Sequence, residues 1–176
     1  MDRKALAAAI KDVAYLEGDF VLRSGKRSKY YIDKYRFETQ PGILSELGKR
    51  FAEYVSDGTT LIAGAELGGV ALAAATSMAC DRPFIIVRNA KKDYGTSNLF
   101  EGVLNKGDRV LIVEDVATTG GQVLEAAKAI TDSGAHVERI VAVLDRQQGA
   151  RENIEGAGVA FDALFTSEDL GITPQT

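Results

Sequence analysis

The segment Val110 to Gln122, VLIVEDVATTGGQ, constrains the fold more than any other part of the chain. Val110 to Val113 are apolar on consecutive positions, without the alternation of a half-exposed strand, so the strand they predict is covered on both faces. Glu114 and Asp115 close it, Val116 and Ala117 follow, and Thr118, Thr119, Gly120 and Gly121 form a small-residue turn. Val123, Ala127 and Ile130 then fall on one face of a helix expected over 119–133, with Gly134 at its end. Strand, turn and helix in this order make half of a βαβ unit.

The same alternation runs through most of the chain. Strands are expected at Thr60–Ala63, Pro83–Arg88, Val137–Leu144 and Ala160–Phe165, and an Ala-rich helix at about 67–79. The predicted fold class is α/β, a mostly parallel central sheet with right-handed crossovers and flanking helices. The N-terminal part reads differently. A helix is expected over 3–16 with Gly18 as its stop, then a hairpin-like segment over 19–34, then a helix over 41–56 with Pro41 near its start. One domain, 1–176, with an N-terminal elaboration follows from the length and the lack of a linker. Residues 89–100 are polar, basic and poor in core residues; a loop of this kind in a compact domain is functional or disordered.

The end of the 110–113 strand is where an open α/β sheet binds its ligands. Hydroxyls and backbone N–H groups of Thr118 to Gly121 stand at a helix N-terminus, whose partial positive charge favours a phosphate. Glu114 and Asp115 cannot help an anion. They suit sugar hydroxyls, which donate to carboxylates, or a Mg²⁺ ion. A ligand with a phosphate, a diol and a metal accounts for all three features. An acidic strand end beside a Thr/Gly helix cap is also a common structural device, and the residues alone leave that alternative open.

Composition removes other chemistries. Cys80 is the single cysteine and His136 the single histidine, which excludes an intramolecular disulfide and the usual zinc sites. His136 has no nucleophile elbow nearby for a Ser–His–Asp triad. The net charge of −4 argues against a dedicated nucleic-acid binder. No P-loop and no full Rossmann fingerprint occur. A single cysteine, no signal peptide and no long apolar run lead to the expectation of a cytoplasmic protein without a membrane partner.

VEDVATTGG resembles the binding signature for PRPP (5-phosphoribosyl 1-diphosphate) of the type I phosphoribosyltransferases. That resemblance implies the family's fold, with an N-terminal hood over the sheet, here approximately 17–36 with the C-terminal segment. It implies that Glu114 and Asp115 hold the ribose hydroxyls. Val116, Ala117, Thr118, Thr119, Gly120, Gly121 and Gln122 would then hold the 5′-phosphate.

Other segments resemble the orotate-using members. Phe20 to Asp33, FVLRSGKRSKYYID, is similar to their N-terminal signature, F-x-L-[KR]-S-G-[KR]-x-S-x-Y. By that similarity Arg23 reaches PRPP and Tyr31 packs beside orotate; Ile32 replaces a usual aromatic. Arg88 to Gly95, RNAKKDYG, resembles the mobile catalytic loop R-K-x-x-K-x-H-G. Arg88 and Lys92 match it, as catalytic groups clamping the departing pyrophosphate, a planar fork and a mobile point charge. Asn89 replaces a lysine and Tyr94 a histidine; Lys91 and Tyr94 are expected to contact PRPP. Asp145-Arg146-Gln147 resembles D-R-x-E, whose arginine meets the carboxylate of orotate, with Thr118 also facing the base. Gly64 to Gly69 resembles the pyrophosphate loop, with Gly68 where many members carry a lysine.

The implied reaction joins orotate N1 to the ribosyl phosphate and releases pyrophosphate, giving orotidine 5′-monophosphate on the way to UMP. Mg²⁺ is implied as a cofactor carried by PRPP near Glu114 and Asp115, with no direct protein ligand. A homodimer, its 89–100 loop acting on the neighbouring subunit, is likewise implied. Competing readings are a purine phosphoribosyltransferase, a PRPP-sensing nucleic-acid regulator and a nucleotide binder of another α/β family. Arg146, the loop lysines and the negative charge weigh against the first two.

Overall fold

The structure, a computed structural model, describes residues 1–21, 25, 27–89 and 99–172. In chain order the elements are α1 (Arg3–Ala14), β1 (Tyr15–Val21), β2 (Arg27–Ile32), α2 (Lys34–Glu38), α3 (Pro41–Ala52), β3 (Leu61–Ala65) and α4 (Gly68–Cys80). These are followed by β4 (Phe84–Val87), β5 (Phe100–Glu101), β6 (Arg109–Ala117), α5 (Gly121–Asp132), β7 (His136–Asp145), α6 (Ala150–Gly156) and β8 (Ala160–Thr166). Six strands form the main sheet in the order β5-β4-β3-β6-β7-β8. All its pairs are parallel except β4–β5. The predicted α/β architecture is therefore the observed one.

Burial explains why β6 reads as an unbroken apolar run. Leu111 and Val113 point into a core shared with α1, α3, α4 and β2, built on Leu6, Ile10, Leu47, Phe51 and Leu72. Val110 and Ile112 point the other way, against Val123, Ala127 and Ile130 of α5 and Ile154 of α6. Each face carries a complete hydrophobic layer, so neither set of alternate positions can be polar.

The N-terminal region departs from expectation in its boundaries. α1 ends at Ala14 rather than at residue 16, because Tyr15 already pairs with Ile32 across the β1–β2 ladder. Gly18 lies inside β1, where the register shifts between Glu17 and Phe20. Asp2 caps α1, its carboxylate accepting from the Ala5 N–H at 2.8 Å. α2 and α6, of five and seven residues, are too short for a helical period to be read in the sequence. β5 begins at Phe100, the last residue of the stretch expected as loop.

Candidate active site

The C-terminal ends of β3, β6 and β7 open on one side of the sheet, and three turns meet there. After β6, Thr118 and Thr119 are exposed and Gly120 stands at the N-cap of α5 with φ +78°. A side chain at Gly120 would be strained by that backbone and would press on Ile154 at 2.9 Å. Asn153 of α6 donates to the Thr119 carbonyl at 2.9 Å, bracing the turn from behind. A cavity of about 220 Å³ is lined by residues 114–123 together with Lys34. The structure thus brings Glu114, Asp115, Val116, Ala117, Thr118, Thr119, Gly120, Gly121 and Gln122 around one space, at the N-terminus of a twelve-residue helix.

The acidic pair is more crowded than the sequence suggests. Asp115 is buried and its Oδ2 lies 2.6 Å from the Lys34 ammonium of α2. Its other oxygen accepts from the Val116 N–H. Glu38, also on α2, is buried beside it; among the described residues its Oε1 lacks a partner, and so does Glu114 Oε2. Three carboxyls share a poorly solvated space with one ammonium, so they cannot all ionise. The shortest pair, Asp115–Lys34, forms the ion pair. Burial, and then the Asp115 carboxylate, push Glu38 up to about 8. The same two causes, in that order, push Glu114 well above the ordinary carboxylate range. Burial works against the Lys34 charge, but the Asp115 carboxylate outweighs it and holds the ammonium above its ordinary value.

Gly68, at the start of α4, closes this corner. A Cβ there would lie 1.6 Å from Asp115 Oδ2 and 3.1 Å from Glu38 Oε1. No side chain of any kind fits while Asp115 holds this position.

Arg146 follows β7, its N–H donating to the Ala117 carbonyl at 2.9 Å, which seats it beside the phosphate turn. Its guanidinium lies over the ring of Tyr30, 5.8 Å from the centroid, and reaches the Tyr30 hydroxyl at 3.3 Å. Tyr30 is buried and stacks on Tyr15. Tyr31, the expected base contact, points to the opposite face of β2, is 44% exposed and packs near Phe20.

Arg88 ends β4. Its N–H donates to Leu99 at 2.9 Å, its Nη1 lies 3.4 Å from Glu101, and its buried Nε lacks a partner among the described residues. Asn89 has a structural task of its own. Its N–H donates to Glu66 Oε1 at 2.7 Å, and its side-chain oxygen accepts from Gln122 at 3.1 Å. This ties the base of the 90–98 segment to the turn before α4 and to the start of α5. Arg23, Lys91, Lys92 and Tyr94 lie outside the described residues. Among the described residues no cluster of three or more His, Cys, Asp or Glu is arranged to hold a metal ion.

Lys34, Glu38, Tyr30, Glu66 and Asn153 are not singled out by the sequence. Lys34 carries one usable signal, a cation directly after the aromatic strand YYID; Glu38 and Asn153 carry none, because a short helix gives no register to read.

Comparison with known proteins decides what this arrangement belongs to. The phosphoribosyl transferase domain matches residues 36–165. The chain is 45% identical over 175 residues to the orotate phosphoribosyltransferase of Methanocaldococcus jannaschii, covering 98% of this chain and 99% of that one. The chain belongs to the orotate phosphoribosyltransferase family. The orotate phosphoribosyltransferase of Natronomonas pharaonis is 42% identical, over 97% of this chain and 98% of its own length. In three dimensions the Mycobacterium tuberculosis orotate phosphoribosyltransferase, solved in complex with PRPP, superposes with a TM-score of 0.84 at 31% identity, over 98% of this chain and 100% of that one. As an orotate phosphoribosyltransferase the chain is a glycosyltransferase of pyrimidine biosynthesis, and no described helix is long and apolar enough to cross a membrane.

Proposed function

We propose that the chain transfers the 5-phosphoribosyl group from PRPP to orotate through the cavity at the end of β6, with the following division of labour. The N–H groups and hydroxyls of Thr118 to Gln122 hold the 5′-phosphate, where the dipole of α5 favours it. Glu114 and Asp115 accept from the ribose hydroxyls. Arg146, already beside Ala117, takes the orotate carboxylate with its planar fork. Tyr30 holds that fork in place. The observation that carries this reading is the phosphate turn and the acidic pair lining one space, with the Arg146 N–H bonded to Ala117 on that turn.

Displacement at the anomeric carbon passes through an oxocarbenium-like state. Orotate is already an anion, so the protein's task is alignment and charge stabilisation rather than strong base catalysis. Arg88 and Lys92 stabilise charge on the leaving pyrophosphate, with Lys91, Tyr94 and Arg23 as further PRPP contacts. Glu114 and Asp115 are the residues near which a Mg²⁺ ion brought with PRPP would sit, and it would supply positive charge to the diphosphate. The protein works as a cytoplasmic homodimer, with the 89–100 segment completing the neighbouring site. Exposed Leu67 and Met78 on and beside α4 supply apolar surface for such an interface.

Orotate loss followed by absorbance with PRPP and Mg²⁺, beside a panel of other bases, tests the activity. Turnover of orotate alone is expected, and turnover of a purine instead would overturn the reading. Mixing Lys92→Ala with Arg146→Ala protein tests the shared site: hybrid dimers regain activity that neither parent shows.

A further inference from the structure

The wall of the main cavity is electrostatically lopsided. Its ligand carries a phosphate at one end and a diphosphate at the other, yet the middle of the wall is Glu114 and Asp115. Backbone N–H groups at the start of α5 serve the phosphate end. At the opposite end, beside Asp115, the one cation lining the cavity among the described residues is Lys34. It is half-buried, with a side chain 33% exposed, and one of its three ammonium N–H groups goes to Asp115 Oδ2. The remaining N–H groups are left for a ligand, on a side chain that lines the cavity next to Asp115. Gly68, on the turn that approaches the same spot, can bring backbone N–H groups but no side chain. Glu38 beside Asp115 has a buried oxygen with no partner among the described residues, so further negative charge is better tolerated next to Lys34 than deeper in.

We propose that Lys34 binds the diphosphate of PRPP, supplying from α2 the positive charge that the Gly68 turn has no room to carry. Asp115 holds the ammonium ready in the free protein. When the ribose hydroxyls donate to Asp115, Lys34 keeps its ion pair and adds charge-assisted hydrogen bonds to the diphosphate oxygens. It is the group that offsets repulsion between that diphosphate and the acidic pair. The inference rests on the reaction proposed above and deepens it by naming a residue for the leaving group.

The test compares wild type, Lys34→Met and Lys34→Arg by calorimetric titration with magnesium pyrophosphate and, separately, with orotidine 5′-monophosphate, which has the ribose and 5′-phosphate but no diphosphate. Loss of a charge-assisted contact predicts that Lys34→Met weakens pyrophosphate about 10- to 100-fold. Orotidine monophosphate should weaken far less, and Lys34→Arg should recover most of the pyrophosphate affinity. Equal weakening of both ligands would overturn the proposal, because Lys34 would then act only by placing Asp115. Unchanged pyrophosphate affinity would overturn it too. Should Lys34→Met fail to fold, Lys34→Gln replaces it and is judged by the same ratio of the two affinities. A wild-type protein that binds neither ligand would overturn the parent reaction and this inference with it, whereas normal wild-type turnover with an unaltered pyrophosphate affinity in the charge-removing variant would remove this inference alone.

Discussion

The two ends of the sheet treat charge in opposite ways. At the N-terminal end Glu138 and Asp108 have a partner on each carboxylate oxygen. Glu138 takes Arg109 Nε on one oxygen at 2.9 Å and the Thr59 hydroxyl on the other at 2.6 Å. Asp108 takes the Thr60 hydroxyl at 2.8 Å and the Asn105 N–H at 2.7 Å. At the C-terminal end the balance fails. The buried side-chain atoms without a partner among the described residues are Glu38 Oε1, Glu114 Oε2 and Arg88 Nε, all of them on this side. Desolvated polar groups left unpaired cost stability. One end of the sheet is finished as structure, and the other is left incomplete in the place where a ligand supplies the missing partners.

The largest effect that would sharpen this contrast is expected at Gly68. Gly68→Ala forces Asp115 from its position, and displacement of a binding group by about 1 Å lowers kcat/KM on the order of 100-fold. Steady-state kinetics with orotate and PRPP measure it, and near-normal activity would break the claim that this corner is filled to contact. Arg146→Ala removes the carboxylate partner and should raise the KM for orotate about 10- to 100-fold, with PRPP affinity little changed.

Glu38 gives a test in pH. Its folded pKa, about 8, lies above the ordinary value of 4.5, so the neutral carboxyl is the form that suits the fold. The stability it contributes is complete below 4.5 and is lost as pH rises through about 8. Glu38→Gln cannot ionise. Its melting temperature should therefore gain on the wild type steadily between those limits, and a constant difference across that range would sink the assignment.

The smallest effect belongs to the finished end. Arg109→Met breaks a half-exposed pair, which costs about 1 kcal/mol or less, and leaves kcat/KM unchanged. A loss of activity there would erase the distinction between the two ends.

How far the sequence can be read follows the same division. β6 and α5 are legible because burial on both faces demands an apolar run and an anion turn demands small residues and glycines. The phosphate turn from Thr118 to Gln122 therefore shows in the order of the residues alone. Lys34 and Glu38 do not, since a five-residue helix has no periodicity and their meaning comes from Asp115, distant in sequence and adjacent only in space. The preference of Arg146 for Tyr30 over Tyr31 is set by which face of β2 turns inward, and both neighbours are tyrosines, so composition cannot choose between them.

One packing detail reaches beyond the site itself. α4 rests on bare main chain on two sides: a Cβ at Gly64 of β3 would lie 2.1 Å from the Gly69 carbonyl, and one at Gly48 of α3 would lie 2.6 Å from the Ala75 carbonyl. Helix, strand and neighbouring helix are thus in register backbone to backbone, with no side chain between them to swap rotamers. The turn at Gly68 inherits its place from that stack rather than from the surrounding core. Durability and catalysis should therefore vary independently in this molecule: trimming core residues such as Ile10 or Ile130 lowers the melting temperature while the surviving folded fraction works at full rate, and a β-carbon added at Gly48 or Gly64 damages both at once.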